Sequence, residues 1–234
     1  MEARTVDWAA LRTPRTEPPT ADGLRERKKR QLRQQLTDTA TEMFVERGFD
    51  AVRVAEIAEA CGVSEKTVFN YFPTKEALIL DHPDTALVAL RTDLADPTAT
   101  PIEVVLRILA DELGAMIAWL DAQEDLALII PKVQRFDELV RTTPSLRAYQ
   151  RDMLDQLVAV AVEILATRAG LSPGDPEPQI AATALVGLWQ IQLAGLSKYV
   201  DGSRTPAEVQ AAVTDDVRRA ARVLSGGFSG GLGV

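Results

Sequence analysis

Residues 53–72 read RVAEIAEACGVSEKTVFNYF, and their spacing decides the fold. Apolar and small side chains recur three and four apart on both sides of Cys61-Gly62-Val63, which predicts two short helices, Val54 to Ala60 and Ser64 to Tyr71. Gly62 supplies the positive φ that a tight turn between them needs. The Ser64 hydroxyl is placed to accept from the backbone N–H of Lys66 or Thr67. Ile57, Val63 and Val68 make a small shared core, and Ala58 is small enough for the second helix to cross closely, so the segment predicts a helix-turn-helix. Its second helix then shows Glu65, Lys66, Thr67, Asn70 and Tyr71 on the outer face, groups that can donate to phosphates or reach base edges in a major groove. A plain helical hairpin is the alternative the same spacing allows.

Upstream, Leu24 to Arg47 carries Leu32, Leu36, Ala40 and Phe44 on one stripe and is stopped by Gly48, which predicts a long first helix. Its opening turns hold Arg25, Arg27, Lys28, Lys29, Arg30 and Arg33 against a single acid, Glu26, a run that suits either a solvated face or phosphate binding. Downstream, Pro73 ends the outer helix, Thr74 caps a helix starting Lys75-Glu76-Ala77-Leu78, and Pro83 breaks it near His82. A restart at Pro83 runs to about Asp93.

The remainder is helical in period throughout, with no run of strict alternation, so the chain is expected to be all-α. Thr100-Pro101-Ile102-Glu103 is a capping box that opens a helix through Val105, Ile108, Leu109, Met116 and Leu120. Glu124 to Val140 is expected as a helix interrupted by Pro131. Thr143-Pro144 starts a long helix with Leu146, Tyr149, Met153, Leu157, Val160 and Ile164 on one face, and Gly170 to Pro178 is expected as a loop. Ile180 to Val200 is apolar nearly all round, whereas Val209, Val213, Val217, Ala220 and Leu224 keep a narrow seam from Pro206 onward. Four segments follow: an irregular arm over residues 1–23, a helix-turn-helix head over 24–80, a helical domain over 81–224, and a glycine-rich tail over 225–234.

Composition narrows the function. The chain has 234 residues, 46% apolar and 26% charged, with a net charge of −8 that hides an asymmetry: residues 81–234 carry 13 basic and 21 acidic groups. One cysteine, Cys61, and one histidine, His82, leave no disulfide framework and too few soft ligands for zinc, so no metal or cofactor is expected, and the cytoplasm is the natural compartment. The first 20 residues lack the apolar core of a signal peptide. Ile180 to Ser197 is uncharged over 18 residues, but Thr183, Gln190, Gln192 and two glycines suit a helix buried in protein, and no membrane is expected. Gly227-Phe228-Ser229-Gly230-Gly231 fits G-x-S-x-G, yet a nucleophile elbow needs a strand before it and a histidine after it. A hydrolase using Ser229 is therefore rejected, and the chain is not expected to be an enzyme.

The run from Arg27 to Leu80, with RGFDAVRVAEIAEACGVSEKTVFNYFPTKEALI at its centre, resembles the TetR family of bacterial transcriptional regulators. Turn, aromatic pair Tyr71-Phe72 and helix start Lys75-Glu76 fall in place together over the head. The resemblance implies that Lys66, Thr67 and Tyr71 contact an operator in double-stranded DNA and that Lys75 holds phosphate. Arg53 stands where the family commonly has a Ser or Thr; arginine can bind phosphate but cannot cap, so the cap is expected either from another group or not at all. Arg27, Lys28 and Arg30 are expected to add affinity with little sequence discrimination. Pro83 lies inside the helix that usually links head to ligand domain, and a hinge is expected there.

A helical domain behind such a head resembles a sensor and a dimerisation module. Met116, Trp119, Leu120, Phe136, Tyr149, Met153 and Trp189 are the candidates for lining a pocket, with Gln134, Arg135 or Gln190 as polar fixers. Thr183, Ala184, Gly187, Val209, Val213 and Val217 are expected at a homodimer interface. The expected function is a homodimeric regulator, a repressor released from a pseudo-palindromic operator by a small apolar or amphipathic ligand. A ligand-independent DNA-binding or architectural protein is the alternative.

Overall fold

A computed structural model describes residues 24–80 and 85–227, and among these the chain is entirely helical. The ten helices are α1 (Leu24–Arg47), α2 (Val54–Ala60), α3 (Glu65–Tyr71), α4 (Ala77–Leu80), α5 (Thr85–Asp93), α6 (Pro101–Asp121), α7 (Leu126–Thr142), α8 (Pro144–Ala169), α9 (Pro176–Tyr199) and α10 (Pro206–Gly227). The arm over residues 1–23, the break at His82-Pro83 and the tail with Ser229 lie outside the described residues. Packing divides the chain into two compact units, one of residues 1–82 with 123–150 and the other of 83–122 with 151–234. Residues 123–150 thus group with the head, which the linear reading does not contain.

In the first unit, α1 buries Leu36, Ala40 and Phe44, and α2 and α4 pack against it. Each such side chain contributes about 1.5–3 kcal/mol relative to an exposed one. Gly48 closes α1 at φ 87°. Phe49 then folds back so that its ring centroid lies 4.9 Å from that of Phe44. All four residues of α4 are buried, so this single turn is a plug. It begins at Ala77, two residues after the expected start, because the Thr74 hydroxyl accepts from the Ala77 N–H at 3.2 Å and only then do helical bonds begin.

α7 also packs on α1, where Lys132 pairs with Glu42. Contrary to expectation, Pro131 does not interrupt α7, which runs on through it. Asp125 secures the helix start by accepting from the N–H groups of Ala127 and Leu128. Pro131 itself is exposed, so water can satisfy the carbonyl that loses its donor one turn earlier.

In the second unit, α6 starts at the Thr100–Glu103 capping box, with the Thr100 N–H donating to the Glu103 carboxylate at 3.0 Å and Pro101 in the first turn. Arg168 at the end of α8 donates to the carbonyls of Leu94 and Ala99, both at 2.8 Å, and so holds the α5–α6 connection. α9 starts four residues earlier than expected, at Pro176, because both Pro176 and Pro178 fall in the first turn, where a missing N–H costs no helical bond. It is the one described helix long and apolar enough to cross a membrane by length and composition, with mean hydropathy 1.4, and 44% of that window is buried in the protein.

α10 packs against α9 and α6. Gly195 makes the close approach possible: a β-carbon there would stand 3.3 Å from a Val213 methyl. Val209, Val213, Val217 and Ala221 form the buried stripe of α10.

Candidate DNA-binding surface and sensor residues

The turn between α2 and α3 is a Schellman closure. Val63 N–H donates to the Ala58 carbonyl at 2.9 Å and Gly62 N–H to Glu59 at 3.0 Å, with Gly62 at φ 67°. Ser64 then caps α3, its hydroxyl accepting from Thr67 N–H at 3.1 Å and pairing with the Thr67 hydroxyl at 2.9 Å. These bonds set the angle at which α3 leaves α2, and its outer face follows. Glu65, Lys66 and Asn70 are exposed, while Thr67 and Tyr71 are half-buried.

Arg53 occupies the α2 N-cap position without a side-chain cap bond. The missing cap comes from Glu56, whose carboxylate accepts from the Arg53 N–H at 2.8 Å and from Arg47 at 2.7 Å. The backbone bond first, then Arg47, hold that carboxyl down to about 2. The Arg53 side chain is 80% exposed beside it. Its guanidinium pairs with Glu56 Oε2 at 3.5 Å and otherwise faces solvent at the start of α2.

Lys75, of the expected set, and Arg33, of the basic run on α1, are held by the fold. Lys75 turns its ammonium onto the Phe49 carbonyl at 2.6 Å and over the Phe49 ring at 4.4 Å, and partial burial pulls its pKa down. Arg33 donates to the Tyr71 carbonyl at 2.9 Å and lies 4.4 Å over the Phe72 ring. Arg27, Lys28 and Arg30 remain exposed on the opening turns of α1.

Sequence reasoning missed Phe69. It is 46% exposed on α3, between Lys66 and Asn70 on the outer face. Its spacing of three from Lys66 and four from Glu65 was the available signal, hidden because a phenylalanine is ordinarily assigned to a core.

The sensor candidates fall in both units. Met116, Trp119 and Leu120 lie on α6, Trp189 on α9 and Met153 on the part of α8 within the second unit, whereas Phe136 and Tyr149 belong to the first. Trp189 is joined to α6 by its indole N–H, which donates to Glu112 Oε2 at 3.0 Å. Of the expected polar fixers, Gln134, Arg135 and Gln190 are exposed. Among the described residues of the second unit, Gln192 is the buried polar side chain, 6% exposed, and Glu112 is half-buried. Glu112 sits four residues after Ile108 and four before Met116, so a charge in an apolar stripe was its signal.

The interface candidates also separate. Thr183, Ala184 and Gly187 share the outer face of α9 with Ile180, which is 55% exposed, and Ile191. Val209, Val213 and Val217 are instead buried inside the unit, Val213 completely, so their seam is one within the chain. A three-four stripe looks the same whether the covering helix belongs to the same chain or to another, and here α9 covers it.

Two family models match. One, described as bacterial regulatory proteins of the tetR family, covers residues 36–81, and one described as an MftR C-terminal domain covers residues 130–229. A Mycobacterium tuberculosis protein named for regulation of mycofactocin biosynthesis, MftR, is 30% identical over 65% of this chain and 73% of its own length. The HTH-type transcriptional regulator TcmR of Streptomyces glaucescens is 28% identical over 73% of this chain and 75% of its own. Among solved structures, Thermus thermophilus FadR in complex with lauroyl-CoA aligns at a TM-score of 0.46 and 22% identity, over 82% of this chain and 92% of that one.

Proposed function

Because the chain belongs to the TetR family of transcriptional regulators, we propose that it is a homodimeric repressor that two small-molecule-responsive units release from a pseudo-palindromic operator. The observation that carries the reading is the outer face of α3, where Glu65, Lys66, Phe69 and Asn70 stand free of the fold on a helix fixed by its turn, its cap and Arg33. Lys66 and Arg53 supply charge for phosphate, and Asn70 and Glu65 can pair with adenine and cytosine edges. Exposed Arg27, Lys28 and Arg30 add sequence-independent attraction.

The dimer is supported by the outer face of α9, where small residues Thr183, Ala184 and Gly187 lie between exposed Ile180 and Ile191. Two copies joined there would carry two α3 helices, the number a palindromic site requires. The regulator acts in the cytoplasm, where the DNA is.

Selection of duplexes from a random-sequence pool by the full chain tests this. The expected winners are inverted repeats with half-sites about one DNA turn apart, bound by two chains per duplex in sedimentation. Winners with a single half-site bound by one chain would overturn the dimeric reading.

A further inference from the structure

We infer that Lys75 is a positioning residue for DNA binding: its ammonium pins the α1–α2 connection, and with it the start of α2, instead of holding phosphate. The inference rests on the reading of the first unit as DNA-binding, and it gives a different task to a cation that the family resemblance places on the DNA backbone.

Three observations carry it. The first is a bond across the head, in which Lys75 Nζ donates to the Phe49 carbonyl at 2.6 Å and joins residues 26 apart in sequence. A bond from an ammonium is charge-assisted and about twice as strong as a neutral one. The second is a seat made of two aromatic rings, with Nζ 4.4 Å from the Phe49 centroid and 5.5 Å from that of Phe44. Both rings belong to the core, Phe44 fully buried and Phe49 4% exposed, so the ammonium rests on a fixed part of the head. The third is the company it keeps. Asp50, Glu76 and Glu56, three acids, all act on it. A phosphate approaching Lys75 would meet these carboxylates, whereas a backbone carbonyl carries no net charge for them to repel.

What the pin does follows from the loop it grips. From the end of α1 the chain is fixed at successive residues: Gly48 N–H donates to the Phe44 carbonyl at 2.9 Å, Lys75 takes the Phe49 carbonyl, Val52 is fully buried, and Arg53 N–H donates to Glu56 at 2.8 Å. The direction in which α2 sets out is therefore set within the chain, and α3 follows it through the turn at Gly62. Without the Lys75 bond the loop would have to be ordered when DNA binds, which costs affinity although no contact with the duplex has been lost.

The test uses the full chain and a duplex that it selects from a random-sequence pool, with affinity read across a salt series well below the melting temperature. Lys75→Met keeps an unbranched side chain and removes the charge. It is expected to lower the melting temperature by about 3 °C and to weaken binding about fivefold at every salt concentration, with the salt slope of the parent. Phe49→Leu, which removes the ring at a buried position, should weaken binding in the same way. The double variant should lose less than the two single losses combined, in melting and in affinity, because both substitutions break one shared interaction. If Phe49→Leu does not fold, the slope and affinity of Lys75→Met decide alone. A slope lower by about one in Lys75→Met would make the residue a phosphate ligand and overturn the inference. Parent affinity in Lys75→Met, or single losses that combine in full, would overturn it as well. A drop in slope leaves the DNA-binding reading in place, whereas a parent that selects no duplex removes that reading and this inference with it.

Discussion

Arg33 reaches from α1 to the last residue of α3, its guanidinium donating to the Tyr71 carbonyl at 2.9 Å while it covers the Phe72 ring. An arginine in a basic run next to a DNA-reading helix looks like a phosphate contact, but here it fixes the pose of that helix. Arg33→Met should cost about 1.5 kcal/mol of stability through the lost charged hydrogen bond and ring contact. Operator affinity should fall about tenfold with the salt slope unchanged, whereas Lys28→Ala should lower the slope by about one. Melting and fluorescence anisotropy across a salt series check both, and a slope that drops for Arg33→Met would make it a phosphate ligand.

Lys66 and Phe69 sit side by side on α3 and should fail differently. Lys66→Ala is expected to lower the salt slope by about one without changing which duplexes are preferred. Phe69→Ala should leave the slope alone and lose a preference for thymine, whose 5-methyl group is the apolar feature a ring recognises at a major-groove edge. Replacing thymine by deoxyuridine in the selected operator should cost the parent about fourfold per methyl contact and the Phe69→Ala variant nothing. Equal sensitivity in the two proteins would remove Phe69 from recognition.

Glu112 makes stability depend on pH. Its folded carboxyl titrates near 7 against an ordinary 4.5, so the folded protein holds this proton over a range where the unfolded chain has released it. The stability that comes with the protonated form is complete below about 4.5 and is lost as the pH rises through 7. Glu112→Gln should therefore be more stable than the parent by roughly 3 kcal/mol at pH 8, with the gap closing toward pH 5. Urea titrations at a series of pH values read this directly, and a gap that is flat with pH would show that Glu112 is not enclosed.

The two faces of the α9–α10 pair should respond oppositely to charge. A β-carbon added at Gly187 meets nothing within 4 Å among the described residues, so Gly187→Arg is expected to fold and to sediment as a monomer with weak operator binding. Val213→Asp places a charge at a fully buried position beside Gly195 and should cost more than 3 kcal/mol, leaving the chain unfolded. A dimer in the Gly187→Arg variant would place the seam elsewhere.

What the sequence made legible was local. Gly62, Ser64 and the Thr100–Glu103 box act on atoms within a few residues, so their bonds could be anticipated and are present. Pro131 and Pro176 misled because a proline's effect depends on its place in a helix: near the start it removes little, and on a wet face its lost bond is replaced. Lys75, Arg33 and Val213 could be placed on a helix face from sequence, but what covers that face comes from residues 26, 38 and 18 positions away. Glu112 and Phe69 were hidden by the habits of residue types, an acid assumed wet and an aromatic assumed dry.

The grouping of α7 with the head has a consequence for how the protein can be dissected. The chain passes between its two units three times, after residues 82, 122 and 150, so the head is not a contiguous stretch. A fragment ending at Leu80 would carry the whole helix-turn-helix yet leave bare the flank of α1 that α7 covers around Glu42. The DNA-reading part is therefore not an exchangeable cassette, and recombination that grafts it onto another sensor must carry along a compatible α7 or remake that flank.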